Sequence, residues 1–372
     1  MIRQTLRLVV INLGVLVIFL ILAELVSRLY EGIAYQPKYQ NELEKELAEV
    51  GDVCHHPPIV TDSGNLSRYK SDFSCGGVTV LNGLRLTSGH PSKPSQVVHV
   101  FGGSTVFGTG SRDEETIPSQ LQNLINDQGF NVAVKNYGFM TLVAAQQKAA
   151  LENADIKRED IVIFYDGGND AFNAFVYGSP EGTIIGYNRQ NKLSFAFVQL
   201  RHFLKSNSAL YRNLGSIKAV VAGKDDPSRV NCLEKPSSHE QLSYMDHYLN
   251  VLAESKELAI SRGAHFFHAF QPVLGSSNGL SMKKVDVTQS MLDIDGISWC
   301  TQDSLLGYYS QLGNRYRDSM KDLNGLDLSR VFASSQLGFD SRYIDWIHMT
   351  PKANKVIADQ LMEHIMPAVS FK

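Results

Sequence analysis

The chain has 372 residues, a formal net charge of −3 and an ordinary apolar content of 43%. That length holds one large domain or two small ones and allows a sizeable core. The near-neutral charge supplies no basic field, so nucleic acid is not an expected partner, and nothing repeats at solenoid or propeller periods.

Leu8 to Val26 is almost wholly apolar, interrupted mainly by Asn12 and Glu24. About nineteen residues at ~1.5 Å of rise each nearly cross a hydrocarbon core of ~30 Å. The run exceeds a typical signal-peptide core, and no Ala-x-Ala site closes it. The triplet Gly32-Ile33-Ala34 lies beyond Arg28 and Tyr30, too far out for cleavage. Residues 1–30 therefore read as an uncleaved N-terminal transmembrane helix, with a cleaved signal or a buried core helix as alternatives. Arg3 and Arg7 favour a cytoplasmic N-terminus, although Arg28 and Lys38 dilute the bias. The expected location is the inner membrane, single-pass, with the rest of the chain extracytoplasmic in the periplasm.

Residues 31–94 read as a juxtamembrane stalk and lead-in. Lys38 to Val50 is charged and helical in pattern; Cys54 to Pro94 is rich in Pro, Gly and Ser. The even cysteine count, Cys54, Cys75, Cys232 and Cys300, behind an anchor points to an oxidising compartment and two disulfides. The favoured pairing is Cys54–Cys75 with Cys232–Cys300. Two alternatives stay open: a metal site from Cys54, His55, His56 and Cys75, and four free thiols.

From Ser95 strands and helices alternate. Val97 to Phe101 is β-branched and apolar, as in a buried parallel strand. Ile117 to Asp127 has helical spacing with Pro118 in its first turn. Val132 to Asn136 is a strand, Leu142 to Ala154 a helix, and Ile161 to Tyr165 a strand. Gln241 to Arg262 is a helix, His265 to Phe270 a strand, and Ser304 to Leu323 a helix. A short strand lies within Leu326 to Ala333. Pro351 to Ile365 closes the chain as a helix with Thr350 as N-cap. This alternation predicts an α/β fold with a doubly wound parallel sheet covered on both faces. Ligands of such sheets bind outside the carboxyl ends of the strands. Two stretches interrupt the alternation, at about 171–240 and 276–303, and read as an inserted lid or subdomain and a smaller insertion.

Three strand exits carry chemistry. The first is Gly102-Gly103-Ser104, where the glycines bare the backbone and place a serine beside outward N–H groups. That geometry suits a nucleophile whose intermediate carries a negative oxygen. A plain turn or a phosphate loop is the competing reading. However, no Gly-Lys-Ser/Thr and no Gly-x-Gly-x-x-Gly is present. The second exit is Asn136-Tyr137-Gly138, and the third Gly167-Gly168-Asn169-Asp170. Serine, a bare backbone N–H and an amide side chain together make an oxyanion hole. Each stretch alone is also compatible with an ordinary turn, and Asp170 reads as a turn cap.

Asp345-Trp346-Ile347-His348 lies just before the closing helix. A serine nucleophile needs a base, and the base needs an acid to fix its tautomer. By contrast, His265 and His268 stand three apart in a strand and face opposite sides, which argues against a metal site.

With these stretches in this order, the sequence resembles the SGNH hydrolases, or GDSL-type esterases and lipases. The matching blocks are Gly102-Gly103-Ser104, Gly138, Gly167-x-Asn169-Asp170 and Asp345-x-x-His348. The resemblance spans roughly Ser95 to Ile365 without the insertions, within a hydrolase domain expected over 95–372. It implies a flavodoxin-like sheet, Ser104 as nucleophile, and His348 with Asp345 as the base pair. It also implies an oxyanion hole from Ser104 N–H, Gly138 N–H and the Asn169 side chain, with Gly102, Gly103, Gly167 and Asp170 as supporting turns. No cofactor or metal is implied. The first block usually reads Gly-Asp-Ser, and here Gly103 replaces the aspartate. The expected activity is hydrolysis of a carboxylic ester, an O-acyl (acetyl) group on an extracytoplasmic polysaccharide. Acyl transfer from the same serine, a lipase or thioesterase, and a non-catalytic binding module are the alternatives.

Overall fold

The computed structural model describes residues 72–182, 236–276, 299–333 and 342–370, with 59–61, 67–69 and most of 12–29 as shorter pieces. Its contacts divide the chain into two units. One comprises Met1–Glu42 with Ile185–Val230, the other Leu43–Ile184 with Asn231–Lys372.

In the first unit, the described residues between 12 and 29 are helical. Val15, Ile18, Phe19, Leu22, Val26 and Leu29 are each more than half exposed. Among the described residues no helix is long and apolar enough to cross a membrane. Part of the expected span Leu8–Val26 lies outside them.

The second unit is built on a sheet of eight strands. In chain order they are β3 (Phe73–Cys75), β4 (Val78–Leu81), β5 (Leu84–Arg85), β6 (Gln96–Gly102), β7 (Val132–Gly138), β8 (Ile161–Asp166), β9 (His265–Phe270) and β10 (Gly325–Asp327). A separate antiparallel pair precedes them, β1 (Ile59–Thr61) and β2 (Ser67–Tyr69). Across the large sheet the order is β10-β9-β8-β6-β7-β5-β4-β3. The run from β10 to β7 is parallel. Its order is that of a flavodoxin-like sheet, which reverses direction beside its first strand, β6.

The remaining three strands are antiparallel, so the sheet is mixed rather than wholly parallel. They come from 73–85, within the stretch expected to be a loop-rich lead-in. Two short turns make them possible. Gly76-Gly77 has φ of 56 and 81°, and Asn82-Gly83 has φ of 53 and 78°. Two successive left-handed residues suit the tight hairpins that join twisted strands.

The parallel strands alternate their burial between two layers. Val98, Val100, Ile161 and Ile163 face one cluster, which includes Leu121 and Ile125 of α2 (Ile117–Asp127) and Ile357 and Leu361 of α7 (Pro351–Ile365). Phe101, Val162, Phe164 and Phe266 face the other. That layer holds α3 (Ala144–Asn153), α4 (Gly168–Tyr177), α5 (Ser238–Ser261) and α6 (Trp299–Ser319). The caps follow the sequence. Thr116 accepts from Ser119 N–H at 3.2 Å, with Pro118 in the first turn of α2. Thr350 accepts from Ala353 N–H at 3.3 Å, with Pro351 opening α7. The first insertion starts later than Ala171, because Ala171 to Tyr177 continue α4.

Candidate active site

Ser104 begins α1 (Ser104–Phe107), a single helical turn directly after β6. The two glycines before it are dictated by close approach. A Cβ on Gly102 would lie 2.3 Å from Val106 Cγ2 and 2.7 Å from the Tyr165 carbonyl; one on Gly103 would lie 2.3 Å from Asn169 Nδ2. Gly108 closes the turn at φ 88°, its N–H donating to the Ser104 carbonyl at 2.9 Å. As the first residue of a helical turn, Ser104 keeps its own N–H outside the helix ladder.

His348 approaches from the loop before α7. That loop is pinned by Ile344 N–H to the His348 carbonyl at 2.8 Å, by Thr350 N–H to Arg342 at 3.1 Å, and by Leu274 N–H to Trp346 at 2.8 Å. His348 Nε2 lies 2.7 Å from Ser104 Oγ, and its Nδ1 lies 2.5 Å from Asp345 Oδ2. The other carboxylate oxygen, Oδ1, accepts the N–H groups of Ile347 at 2.8 Å and His348 at 2.7 Å. Burial alone would raise the Asp345 carboxyl. The His348 charge, the ring hydrogen bond and the two backbone donors outweigh it and hold the group below the usual carboxylate value.

This shift has a defined pH consequence. A carboxyl depressed in the folded state stabilises the fold at pH above its unfolded value, about 3.9. The contribution is lost as pH falls through the lower folded value. The urea midpoints of the native protein and Asp345→Asn should therefore differ at pH 7 and converge as the pH drops below about 3.9. A gap that widens on acidification would contradict this.

The third exit supplies an amide. Asn169, in the first turn of α4, donates from Nδ2 to the Leu142 carbonyl at 3.1 Å, leaving its second N–H free for another acceptor. Gly167 has φ 107°, and a Cβ there would fall 2.4 Å from the Phe270 ring. Asp170 accepts the N–H groups of Ala144 at 2.8 Å and Gly167 at 3.2 Å, so it caps α3 and α4 together. Burial, reinforced by neighbouring Asp166, pushes the Asp170 carboxyl well up despite those donors. Beneath it His268 Nε2 lies 2.9 Å from Asp166 Oδ1, which also accepts the Tyr248 hydroxyl at 2.6 Å. His268 is fully buried whereas His265 is exposed, so the two histidines do face opposite ways.

Gly138 differs from its expected role. Its N–H donates to Asn136 Oδ1 at 2.8 Å and is not free for an oxyanion. Packing explains the glycine instead, since a Cβ would stand 2.1 Å from Phe107 N. The uncommitted backbone donors lie further along the same exit. Thr141 is at φ 58°, unusual for a β-branched residue, and sits one residue before the carbonyl that holds Asn169. Its N–H makes no hydrogen bond among the described residues. No glycine marks this position in the sequence, so only the backbone conformation reveals it.

The cysteines are partly resolved. Cys75 is disulfide-bonded, and its partner is not among the residues whose side chains are described. The pairing stays an expectation, and Cys54, His55, His56 and Cys232 lie outside the described residues.

A serine at a strand exit, bonded to a histidine that is bonded to a carboxylate, beside free amide and backbone donors, is the equipment of a serine hydrolase on an α/β sheet. Residues 98–361 match the GDSL-like Lipase/Acylhydrolase family, and the chain belongs to it: it is a hydrolase of ester bonds. No curated protein matches the chain. Similar solved structures include a lipolytic protein of the G-D-S-L family from Veillonella parvula. It is 13% identical, over 72% of this chain and 97% of that one, at a TM-score of 0.39. Another is a catalytic mutant of an acetylxylan esterase from Geobacillus stearothermophilus. It is 13% identical, over 75% and 99% of the two chains, at 0.41.

Proposed function

We propose that this chain is a membrane-anchored serine esterase of an extracytoplasmic space, and that it removes a small acyl group, acetyl, from a glycan. The observation that carries the catalytic part is the unbroken Asp345–His348–Ser104 chain, with links of 2.5 and 2.7 Å. Ser104 Oγ attacks the ester carbonyl carbon while its proton passes to His348 Nε2. Asp345 holds the ring by Nδ1–H and stabilises the imidazolium. The carbonyl oxygen becomes an oxyanion beside the Ser104 N–H, the free Asn169 N–H and the turn at Thr141. Collapse breaks the ester C–O bond, and the leaving hydroxyl takes the proton from His348. Water then repeats the sequence on the acyl-serine, releasing the acid and regenerating Ser104. An acyltransferase would differ only in admitting a second hydroxyl in place of that water.

The anchor rests on the apolar run Leu8–Val26 and on its outward apolar side chains, such as Phe19 at 67% exposure. The glycan reading rests on aromatics mixed with amides after β8. The Trp346 ring, two residues before His348, lies tilted 5.5 Å from Phe172, which lies 5.6 Å from Tyr177. Tyr177 is exposed, and Phe175 is buried in the core instead. Tyr187, Phe195, Phe197 and Tyr211, with Asn188, Arg189, Gln190 and Asn191, continue the mixture in sequence but lie outside the described residues. A sugar presents apolar faces to rings and hydroxyl edges to amides, whereas a long acyl chain favours a continuous apolar groove.

The test is a chain-length series of aryl esters, with acetylated glycan as competitor, on full-length protein in spheroplasts. Acetyl should turn over faster than octanoyl, glycan should compete, and protease added outside should destroy the activity. A rate that climbs steadily with chain length, without competition, would make the enzyme a lipase or thioesterase. Full protection from protease would reverse the orientation. A rate that rises with added sugar acceptor would favour the transferase.

A further inference from the structure

Gln271 follows the last residue of β9 and is only 2% exposed. Its backbone is fixed on both sides: the N–H donates to the Asp166 carbonyl at 2.8 Å, and the carbonyl accepts the Tyr309 hydroxyl. The side chain runs in among the three loops that carry the site. Oε1 accepts from Thr105 Oγ1 at 3.3 Å, and Thr105 follows the nucleophile. Nε2 lies 2.2 Å from where a Cβ on Gly168 would stand, and Gly168 precedes Asn169. That same point is 2.7 Å from Ile347 Cδ1, and Ile347 precedes His348. The amide therefore bonds to the residue after Ser104 and packs on the residue before Asn169, and Ile347, the residue before His348, packs on that same glycine. Three residues on, Leu274 N–H donates to the Trp346 carbonyl at 2.8 Å, a second tie between the β9 exit and the histidine loop.

Nε2 is buried without a hydrogen-bond acceptor among the described residues. An amide in that state costs the fold stability, and a methionine of similar length would fill the space without the cost. A polar group that costs stability and joins the nucleophile and oxyanion loops, at the glycine on which the histidine loop also packs, points to a role outside folding. We infer that Gln271 is a positioning residue of the esterase. Through Thr105, Gly168 and Ile347 it sets the spacing of nucleophile, oxyanion amide and base. The inference rests on the reading of Ser104 as nucleophile.

The experiment is a double-mutant cycle of Gln271→Met and Thr105→Val in the full chain, with Ser104→Ala alongside. It reads kcat and KM on an aryl acetate, the rate of fluorophosphonate labelling, and the thermal midpoint. Gln271→Met should lower kcat and labelling about tenfold, leave KM within about twofold, and not lower the midpoint. Thr105→Val should act in the same direction, and the double variant should cost less than the product of the two single losses. Unchanged kcat in Gln271→Met, strict additivity, or a loss that only tracks a lower midpoint would overturn the inference. Should Gln271→Met fail to fold, Thr105→Val decides alone: near-native kcat and labelling would overturn it. Turnover that survives in Ser104→Ala would instead sink the reading of the site itself.

Discussion

Ser104→Ala and His348→Ala should each remove nearly all ester hydrolysis, a loss on the order of 10³- to 10⁶-fold, and the double variant should lose little more. The reason is mechanical. Ser104 Oγ and His348 Nε2 share one hydrogen bond of 2.7 Å, so neither group has its function without the other. Asp345→Asn should cost less than either. The carboxylate takes no part in bond making, and two backbone N–H groups that it now accepts would still shape the loop. All three variants should fold, since the short turn is held by its backbone with no cap from the Ser104 side chain, and the histidine loop is pinned by its own backbone bonds. Burst kinetics with a chromogenic acetate and circular dichroism on the same samples check both halves. Near-normal turnover in Ser104→Ala would end the triad assignment. Strictly multiplicative losses would mean that the residues act separately.

The elements that position this site were legible where side-chain pattern and backbone chemistry agreed. α2 and α7 keep the bounds that their apolar spacing gives, each with a proline in its first turn, and β9 spans His265–Phe270 as expected. The β3–β5 strands carry no periodic signal in the sequence, although Gly76-Gly77 and Asn82-Gly83 are hairpin signals. Each strand is only two to four residues long, too short for alternation to register. Their place at the sheet edge beside β7 is a long-range pairing, Arg85 against Asn136, that no local pattern encodes.

The site divides along the same line. Serine, histidine and aspartate announce themselves because their side chains carry the chemistry, and the sheet order brings Ser104 and His348 together across 244 positions. Backbone donors are different. Gly138 shows that the main chain is approached closely, but the sequence does not say by what. The approach is the α1 backbone, 2.1 Å from where a Cβ would be. Thr141 and Gln271 carry no motif at all. One is distinguished by a φ of 58°, the other by an unpaired buried amide, and both properties exist only once the chain is folded.

Gly103→Asp, which would restore the first block that the family usually carries, should impair this enzyme. Backbone strain is not the cause. Gly103 sits at φ −78° and ψ −155°, an extended conformation open to any residue. The obstacle is the oxyanion amide. A Cβ at 103 would stand 2.3 Å from Asn169 Nδ2 and 3.4 Å from the Leu142 carbonyl that holds it. Asn169 would have to swing away, losing that bond and its place beside Ser104. The new carboxylate would add a negative charge where the reaction develops one. Loss of one oxyanion donor costs roughly 10²- to 10³-fold in kcat with little change in KM, and Gly103→Asp should fall in that range. Gly103→Ala carries the steric part without the charge, so it should retain more activity than the aspartate variant. In both, the thermal midpoint should fall only by what the lost Asn169–Leu142 bond contributes, because the extended backbone itself accepts either residue. The absent side chain and the position of Asn169 would then be one adaptation. Wild-type kcat in Gly103→Asp would show instead that Asn169 works from another position, and that the glycine is incidental.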